Sequence, residues 1–178
     1  TSPWTAAERE LGYHAGGPVN LGWLTSDRIC ALGRGAHPAL IWEDSQGRQR
    51  RYTFDDLRRL SNAAAAFLAR HQIGAGERVC LFLDRVPELY FAFLGVLKLG
   101  AIVQPLFSAF GEDSLWTRLE DAGTAAVVTQ RRHLGKVRRI RARLPALRRV
   151  VVVDAAGLAL EPGEVALELE REPEAEGF

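Results

Sequence analysis

The run Val79-Cys-Leu-Phe-Leu83, followed by Pro87-Glu-Leu-Tyr-Phe-Ala-Phe-Leu-Gly-Val-Leu-Lys-Leu99 and then Ala101-Ile-Val103, decides the fold. Its first and last segments are unbroken apolar runs, without the polar alternation of a strand that shows one face to water. Between them lies a stretch too long for a strand, with proline in the first-turn position that helices favour. The pattern repeats downstream. Ala125-Ala-Val-Val128 and Val150-Val-Val-Val153 read as strands, and residues 112–122 and 130–144 as helices, with Glu112 and Asp113 where the helix dipole favours acids. Strands covered on both faces and separated by helices imply an α/β fold, a doubly wound, mainly parallel sheet flanked by helices with right-handed crossovers. Ligands of such sheets bind beyond the carboxyl ends of the strands. That rule selects segments 84–87, 104–111 and 129–136.

Upstream the period changes. Residues 19–33 place Leu21, Leu24, Ile29 and Leu32 at helical spacing, with Asn20 as cap and Gly33 as stop, which predicts a short amphipathic helix. Ala39-Leu-Ile-Trp-Glu-Asp44, the turn Ser45-Gln-Gly47 and Arg50-Arg-Tyr-Thr-Phe54 predict a β-hairpin. Thr53 and Asp56 have capping-box spacing and open a helix whose face is Leu57, Leu60, Ala64, Phe67 and Leu68, stopping at Gly74. Past Asp154 the chain turns Gly-, Pro- and Glu-rich. Residues 155–178 read as an acidic connector holding one short strand or helix around Val165-Ala-Leu-Glu-Leu169.

With 178 residues, 47% of them hydrophobic and 25% charged, the chain can bury a core without disulfides or metals, and disorder is excluded. Cys30 and Cys80 lack any CxxC or Cys/His grouping, which predicts two buried, reduced thiols and no structural zinc. No signal-peptide pattern is present, and the longest apolar stretch, 89–107, is broken by Lys98, Gly100, Gln104 and Pro105. A cytoplasmic protein is expected. No methionine occurs, even at position 1, so the start is read as processed or trimmed and the chain as a piece of something longer.

Charge is divided unevenly behind a net +1. Nine bases and no acid lie between Arg131 and Arg149, and eight acids and one base between Asp154 and Glu176. Either two surfaces meet each other, or a basic face awaits an anionic ligand. No aromatic is interleaved among the bases, which disfavours nucleic acid.

The motifs of common chemistries are missing. Neither GxGxxG nor GxxxxGK[ST] occurs, and Ser108 lacks the GxSxG setting of a nucleophilic serine. His14, His37 and His71 are scattered, so metal binding has no support. Trp4, Trp23, Trp42 and Trp116 fall in separate elements and read as packing residues.

The run from Pro87 to Phe110 resembles the AMP-forming acetyl-CoA synthetases of the adenylate-forming superfamily. Arg51-Tyr-Thr-Phe-Asp-Asp-Leu57, Leu60-Ser-Asn62, Gly76-Glu-Arg-Val79, Arg118-Leu-Glu-Asp-Ala122 and Val127-Val-Thr129 agree with that family's N-terminal part in the same order. The likeness covers residues 19–154, after an N-terminal extension, 1–18. The closing Glu176-Gly-Phe178 is similar to the residues just ahead of the family's phosphate loop. What the resemblance implies is a ligase in which a short carboxylate attacks ATP to give acyl-AMP, and the thiol of coenzyme A then displaces AMP. ATP, coenzyme A and Mg2+ serve the complete enzyme, whose catalytic and metal-holding residues lie beyond this chain. By the same resemblance, Phe107, Ser108, Ala109 and Phe110 match a loop lining the pantetheine tunnel. The two arginines that grip the coenzyme A 3′-phosphate fall on Gly135 and Arg138, with Lys136 or Arg139 available to stand in for the missing one.

Two readings follow. In one, the chain is the inactive N-terminal part of an acetate–CoA ligase, with small-molecule substrates, a missing C-terminal remainder, and neither nucleic acid nor membrane as partner. In the other, it is a stand-alone binding or scaffolding domain that offers the basic helix in 131–149 to a partner.

Overall fold

The computed structural model describes residues 2–13 and 17–173, built around a parallel sheet of five strands in the order β4-β3-β5-β6-β7. Ahead of the sheet come α1 (Pro3–Leu11), α2 (Leu21–Thr25), α3 (Asp27–Ile29), a π-helical turn over Cys30–Arg34, the antiparallel hairpin β1 (Pro38–Glu43) and β2 (Gln49–Thr53), and α4 (Phe54–Arg70). Then β3 (Arg78–Phe82), α5 (Pro87–Lys98), β4 (Ile102–Pro105), α6 (Glu112–Asp121), β5 (Ala126–Thr129), α7 (Arg131–Arg141), β6 (Arg149–Val152) and β7 (Glu164–Ala166) follow, with a 3-10 turn over Leu169–Arg171.

Alternation along each strand divides the core in two. Val79, Leu81, Val128 and Val151 meet α4 and α5 on one face, while Cys80, Phe82, Val127, Val150 and Val152 meet α6 and α7 on the other. Both sets are buried, which is why the strand sequences show no polar alternation. The β3–β4 connection runs one way across the sheet and β4–β5 returns past β3, so right-handed crossovers put α5 on one face and α6 and α7 on the other. The anticipated doubly wound sheet and hairpin are both present.

Helix starts follow their local chemistry. Thr53 accepts from the Asp56 amide while the Asp56 carboxylate accepts from the Thr53 amide, so the capping box of α4 is complete. Asn20 caps α2 by accepting from the Trp23 amide, and its own amide group donates to the Lys98 carbonyl. Where α5 crosses α4 there is no room for a side chain. A Cβ on Gly95 would sit 2.7 Å from the Ala64 Cβ.

Several expectations need correction. The single helix over 19–33 is broken at Ser26 (φ −130°, ψ −71°), whose hydroxyl donates to the Gly22 carbonyl, and Gly33 ends the region at φ +76°. The last sheet helix stops at Arg141 instead of Leu144, and α4 stops at Arg70, with Gln72 taking the left-handed conformation (φ +65°) ahead of Gly74. Strand β4 begins at Ile102 and extends through Gln104 and Pro105, an edge position where proline withholds no ladder donor from a neighbour. Trp4 is 79% exposed and Trp23 40%, so neither is a packing residue. Cys80 is buried but Cys30 only half-buried, and both are free thiols. His14 and the segment 176–178 lie outside the described residues. Among the described residues no helix is long and apolar enough to cross a membrane.

Candidate functional site

In the order β4-β3-β5-β6-β7, the connections leaving β3 and β5 diverge to opposite sides, and the gap between their carboxyl ends is the crevice where such sheets take ligands. Asp84 stands at this gap, two residues past β3. Its amide donates to the Gln130 side chain at 2.8 Å, tying the end of β3 to the start of α7. One carboxylate oxygen accepts from the Ser108 hydroxyl at 2.7 Å and lies 2.9 Å from His133 Nε2, and the other receives Arg132 at 2.9 Å. Three side chains, one from the loop after β4 and two from the first turn of α7, thus converge on one carboxylate. Burial alone would raise the Asp84 pKa, but the hydrogen bonds from Ser108 and His133 and the charge of Arg132 outweigh it and hold the group below the ordinary aspartate value.

The arrangement is structural in character. Ser108 donates to the carboxylate and not to the imidazole, so the serine–imidazole contact on which Ser-His-Asp chemistry depends is not formed. His133 is buried against the Phe82 ring, with centroids 5.3 Å apart. Among the described residues no group of three His, Cys, Asp or Glu side chains is placed to hold a metal ion.

Beside the carboxylate opens a cleft of about 660 Å³. Leu81, Leu83, Leu89, Pro105 and Leu106 form apolar walls, and Asp84, Arg85, Ser108 and Arg132 supply the polar groups. Phe107, 66% exposed, stands at its edge, its ring 6.1 Å from and edge-on to that of Phe110. The 107–110 loop is fixed from below by Lys136, whose ammonium donates to the Ser108 and Phe110 carbonyls at 3.2 and 3.0 Å. A second hollow, of about 310 Å³, lies past β6, with Tyr52, Phe91 and Asp154 in its wall.

The residues singled out by sequence separate into two groups. Phe107, Ser108 and Lys136 belong to the loop and cleft, and Ala109 is an exposed member of the same loop. Arg138 and Arg139 are engaged elsewhere. Arg138 forms a two-pronged pair with Glu164 at 2.8 and 2.7 Å, reaches Glu161 at 3.2 Å and donates to the Ala159 carbonyl. Arg139 pairs with Glu112 at 2.6 Å. Further bases of the 131–149 run also have partners: Arg148 meets Glu77 at 2.6 Å, and Arg143 lies 3.8 Å over the Trp116 ring. The uneven charge therefore resolves largely into pairs between elements, with the acidic segment and the basic helix facing each other at Arg138.

The segments selected from the sequence meet at this cleft, but the residues that organise it went unnoticed. Asp84, Arg132 and His133 were not singled out. Their signal was position: with Ser108, each lies within four residues past the end of β3, β4 or β5.

Residues 29–176 match the family model described as AMP-binding enzyme. The acetyl-coenzyme A synthetase of Bacillus subtilis (strain 168) is 37% identical over 127 residues, which cover 71% of this chain and 22% of that protein. The 3-hydroxypropionyl-coenzyme A synthetase of Sulfurisphaera tokodaii is 33% identical over 132 residues, 71% of this chain and 20% of that protein. Among solved structures, Brucella canis acyl-CoA synthetase superposes with a TM-score of 0.80 at 30% identity, covering 93% of this chain and 29% of that one. The chain spans about a fifth of the length of the curated relatives it matches.

Proposed function

The chain belongs to the family of AMP-binding enzymes, and from that premise we propose that it is the N-terminal part of an AMP-forming acyl-CoA ligase of the acetyl-CoA synthetase kind. The reaction joins a short carboxylate to coenzyme A. A carboxylate oxygen attacks the α-phosphorus of ATP, pyrophosphate leaves, and the thiol then attacks the acyl carbonyl with AMP as leaving group. A carboxylate is a poor nucleophile towards a polyanionic triphosphate, so the first step needs charge-neutralising groups around the phosphates. No Gly-rich phosphate loop and no metal-ligand cluster is found among the described residues. We assign ATP and Mg2+ to the remainder of the enzyme and expect this chain alone to be inactive.

The observation that carries the reading is the cleft at the sheet's switch point, bordered by the 107–110 loop. Its apolar walls and a rim rich in hydrogen-bonding groups suit a long amide-bearing arm such as pantetheine. Phe107 and Ser108 form the wall along which the arm lies, Ala109 follows them in the same exposed loop, and Lys136 holds that loop in place by gripping two of its carbonyls. Small side chains at Ser108 and Ala109 leave the passage open. Arg138 and Arg139, the further candidates for the phosphate, are each committed to a carboxylate. Residues 19–154 act as the substrate-side subdomain, 1–18 as an extension and 155–178 as the lead into the phosphate loop. The relatives differ in the acyl group their names give, acetyl in one and 3-hydroxypropionyl in another, so acetate stands for short carboxylates. A cytoplasmic location accords with the free thiols of Cys30 and Cys80.

The test is the mass of the polypeptide that carries this sequence in its own cells, followed by an assay of pyrophosphate release dependent on carboxylate, ATP and coenzyme A. A product several times heavier than 19.6 kDa with that activity supports the proposal. A 19.6 kDa product that binds no coenzyme A would sink it in favour of a stand-alone scaffolding domain.

A further inference from the structure

We infer that the N-terminal segment is a self-association surface, in which the apolar stripe of α1 in one copy of this chain packs on the exposed apolar face of α2 in a second copy, and the same contact repeats in reverse. The contact is independent of the ligase reading.

Helix α1 is specified by its sequence but not supported by its own chain. The Ser2 hydroxyl accepts from the Trp4 amide at 3.3 Å, Pro3 takes the first turn, and Gly12 closes the end in the left-handed conformation. A nine-residue helix is nevertheless too short to persist in water on propensity alone, and α1 buries none of its residues. Arg28 ties its C-terminal end to α3 by donating to the Glu10 carbonyl at 2.7 Å, while Trp4 at the other end stands open to solvent. Trp4, Ala7 and Leu11 fall at i, i+3 and i+7, which places them in one stripe. The packing that stabilises such a helix must come from outside the chain.

A floor for that stripe is exposed close by. Val19, Leu21 and Trp23 are open to solvent, and Leu11, Val19 and Trp23 share the wall of a hollow of about 130 Å³ that makes stripe and floor continuous. Within one chain the two do not cover each other, since both tryptophans remain exposed. At about 150–250 Å² for a large side chain, the exposed parts of Trp4, Leu11, Val19, Leu21 and Trp23 come to roughly 500 Å². A standard interface takes about 800 Å² from each partner, about three-fifths of it apolar, and this surface supplies that amount.

Charge selects the partner. Residues 1–34 hold three acids, Glu8, Glu10 and Asp27, and three bases, Arg9, Arg28 and Arg34. A neutral face has no field to draw in nucleic acid, anionic lipid or a strongly charged protein, and two copies of it meet without repulsion. Each copy presents both stripe and floor, so a second copy covers both at once.

The experiment is sedimentation velocity of the 178-residue chain across the micromolar range, with tryptophan emission recorded on the same samples. It is repeated on Trp4→Glu, on Leu21→Glu, and on Leu160→Glu, which alters an exposed leucine in the loop before β7. Circular dichroism melts confirm that each variant folds. We expect a particle of twice 19.6 kDa that dissociates on dilution, with emission moving to shorter wavelength as it forms. Trp4→Glu and Leu21→Glu should each raise the dimer Kd by about tenfold or more, while Leu160→Glu behaves as the parent. A chain that stays monomeric throughout, or association that is insensitive to both N-terminal substitutions, overturns the inference. So does a polypeptide that carries this sequence in its own cells, is heavier than 19.6 kDa and remains monomeric, because the rest of the same chain would then cover the face.

Discussion

The contact most open to a quantitative test lies away from the cleft, where Lys98 is sealed between α4, α5 and the N-terminal segment. Its side chain is 0% exposed, paired with Asp27, and its ammonium donates to the Asn62 side chain at 2.5 Å and to the Arg58 carbonyl at 3.5 Å. Removing one partner of a buried pair leaves an uncompensated charge and costs about 3–5 kcal/mol. Asn62 and Arg58 still serve the ammonium, so Asp27→Ala should fall at or below the low end, about 2–3 kcal/mol, lowering Tm by roughly 5–10 °C for a domain of this size. Lys98→Met is the informative partner. It fills the same space with an apolar chain and leaves behind Asp27, which borders a surface cleft where water replaces the ammonium, so its cost should stay below about 1 kcal/mol. Both follow from urea and thermal unfolding monitored by circular dichroism. Burial depresses the Lys98 pKa, and Asp27 offsets this only in part. The unfolded chain therefore holds the proton more tightly, and this group's contribution to stability improves as pH climbs from the depressed pKa towards 10.5. Without Asp27 the recovery should begin at lower pH and be larger. Equal costs for the two variants, or a Lys98→Met protein that is the weaker, would refute the reasoning.

Other outcomes can be stated briefly. Gly95→Ala gains helix propensity but drives a methyl to 2.7 Å from the Ala64 Cβ and 2.9 Å from the Ser61 carbonyl, and it should lower stability by about 1–2 kcal/mol in denaturant titrations. Cys80 is raised far above an ordinary thiol by burial and should resist a thiol reagent until the protein unfolds. Cys30, raised by partial burial and by the hydrogen bond to Asp55, should label first and slowly. Asp84→Asn should destabilise the chain at pH 7, with the gap narrowing once pH falls below 3.8 and closing only below the depressed folded pKa. A carboxylate with a depressed folded pKa contributes fully above its unfolded value of 3.8 and loses that contribution as pH falls through the folded one. A stability gap that persists unchanged at pH 3 would contradict the assignment.

The sheet was legible because its strands are buried on both faces, so burial overrides every other demand on those residues and writes an unbroken apolar run. The capping box at Thr53 and Asp56 and the hairpin turn were legible because their hydrogen bonds are local. What failed to show were features decided by distant partners. The break at Ser26 serves the approach of α2 to α5, where a Cβ on Gly22 would meet Lys98 Cγ at 2.6 Å, and nothing within residues 19–33 records that. Helix α1 buries none of its residues and is set by a proline start and a left-handed Gly12, so periodicity gave it no signal. At the cleft, the segments followed from topology. The convergence of Ser108, Arg132 and His133 on Asp84 spans 24 to 49 positions of sequence and becomes visible only when three strands lie side by side.

One consequence of the pairing between α7 and the acidic segment concerns solution behaviour. Because Glu161 and Glu164 reach back from the last loop and strand to Arg138, the basic helix carries its own tethered counterion. Deleting residues 155–178 would strip away seven acids and one base, leaving a polycation. Such a protein would adhere to any polyanion, heparin or nucleic acid alike, with a strong dependence on salt that reflects exposed charge and no recognition. Retention on a heparin column thus becomes a gauge of whether β7 is docked, and an apparent affinity for nucleic acid in a shortened chain is an artefact that the intact edge strand prevents.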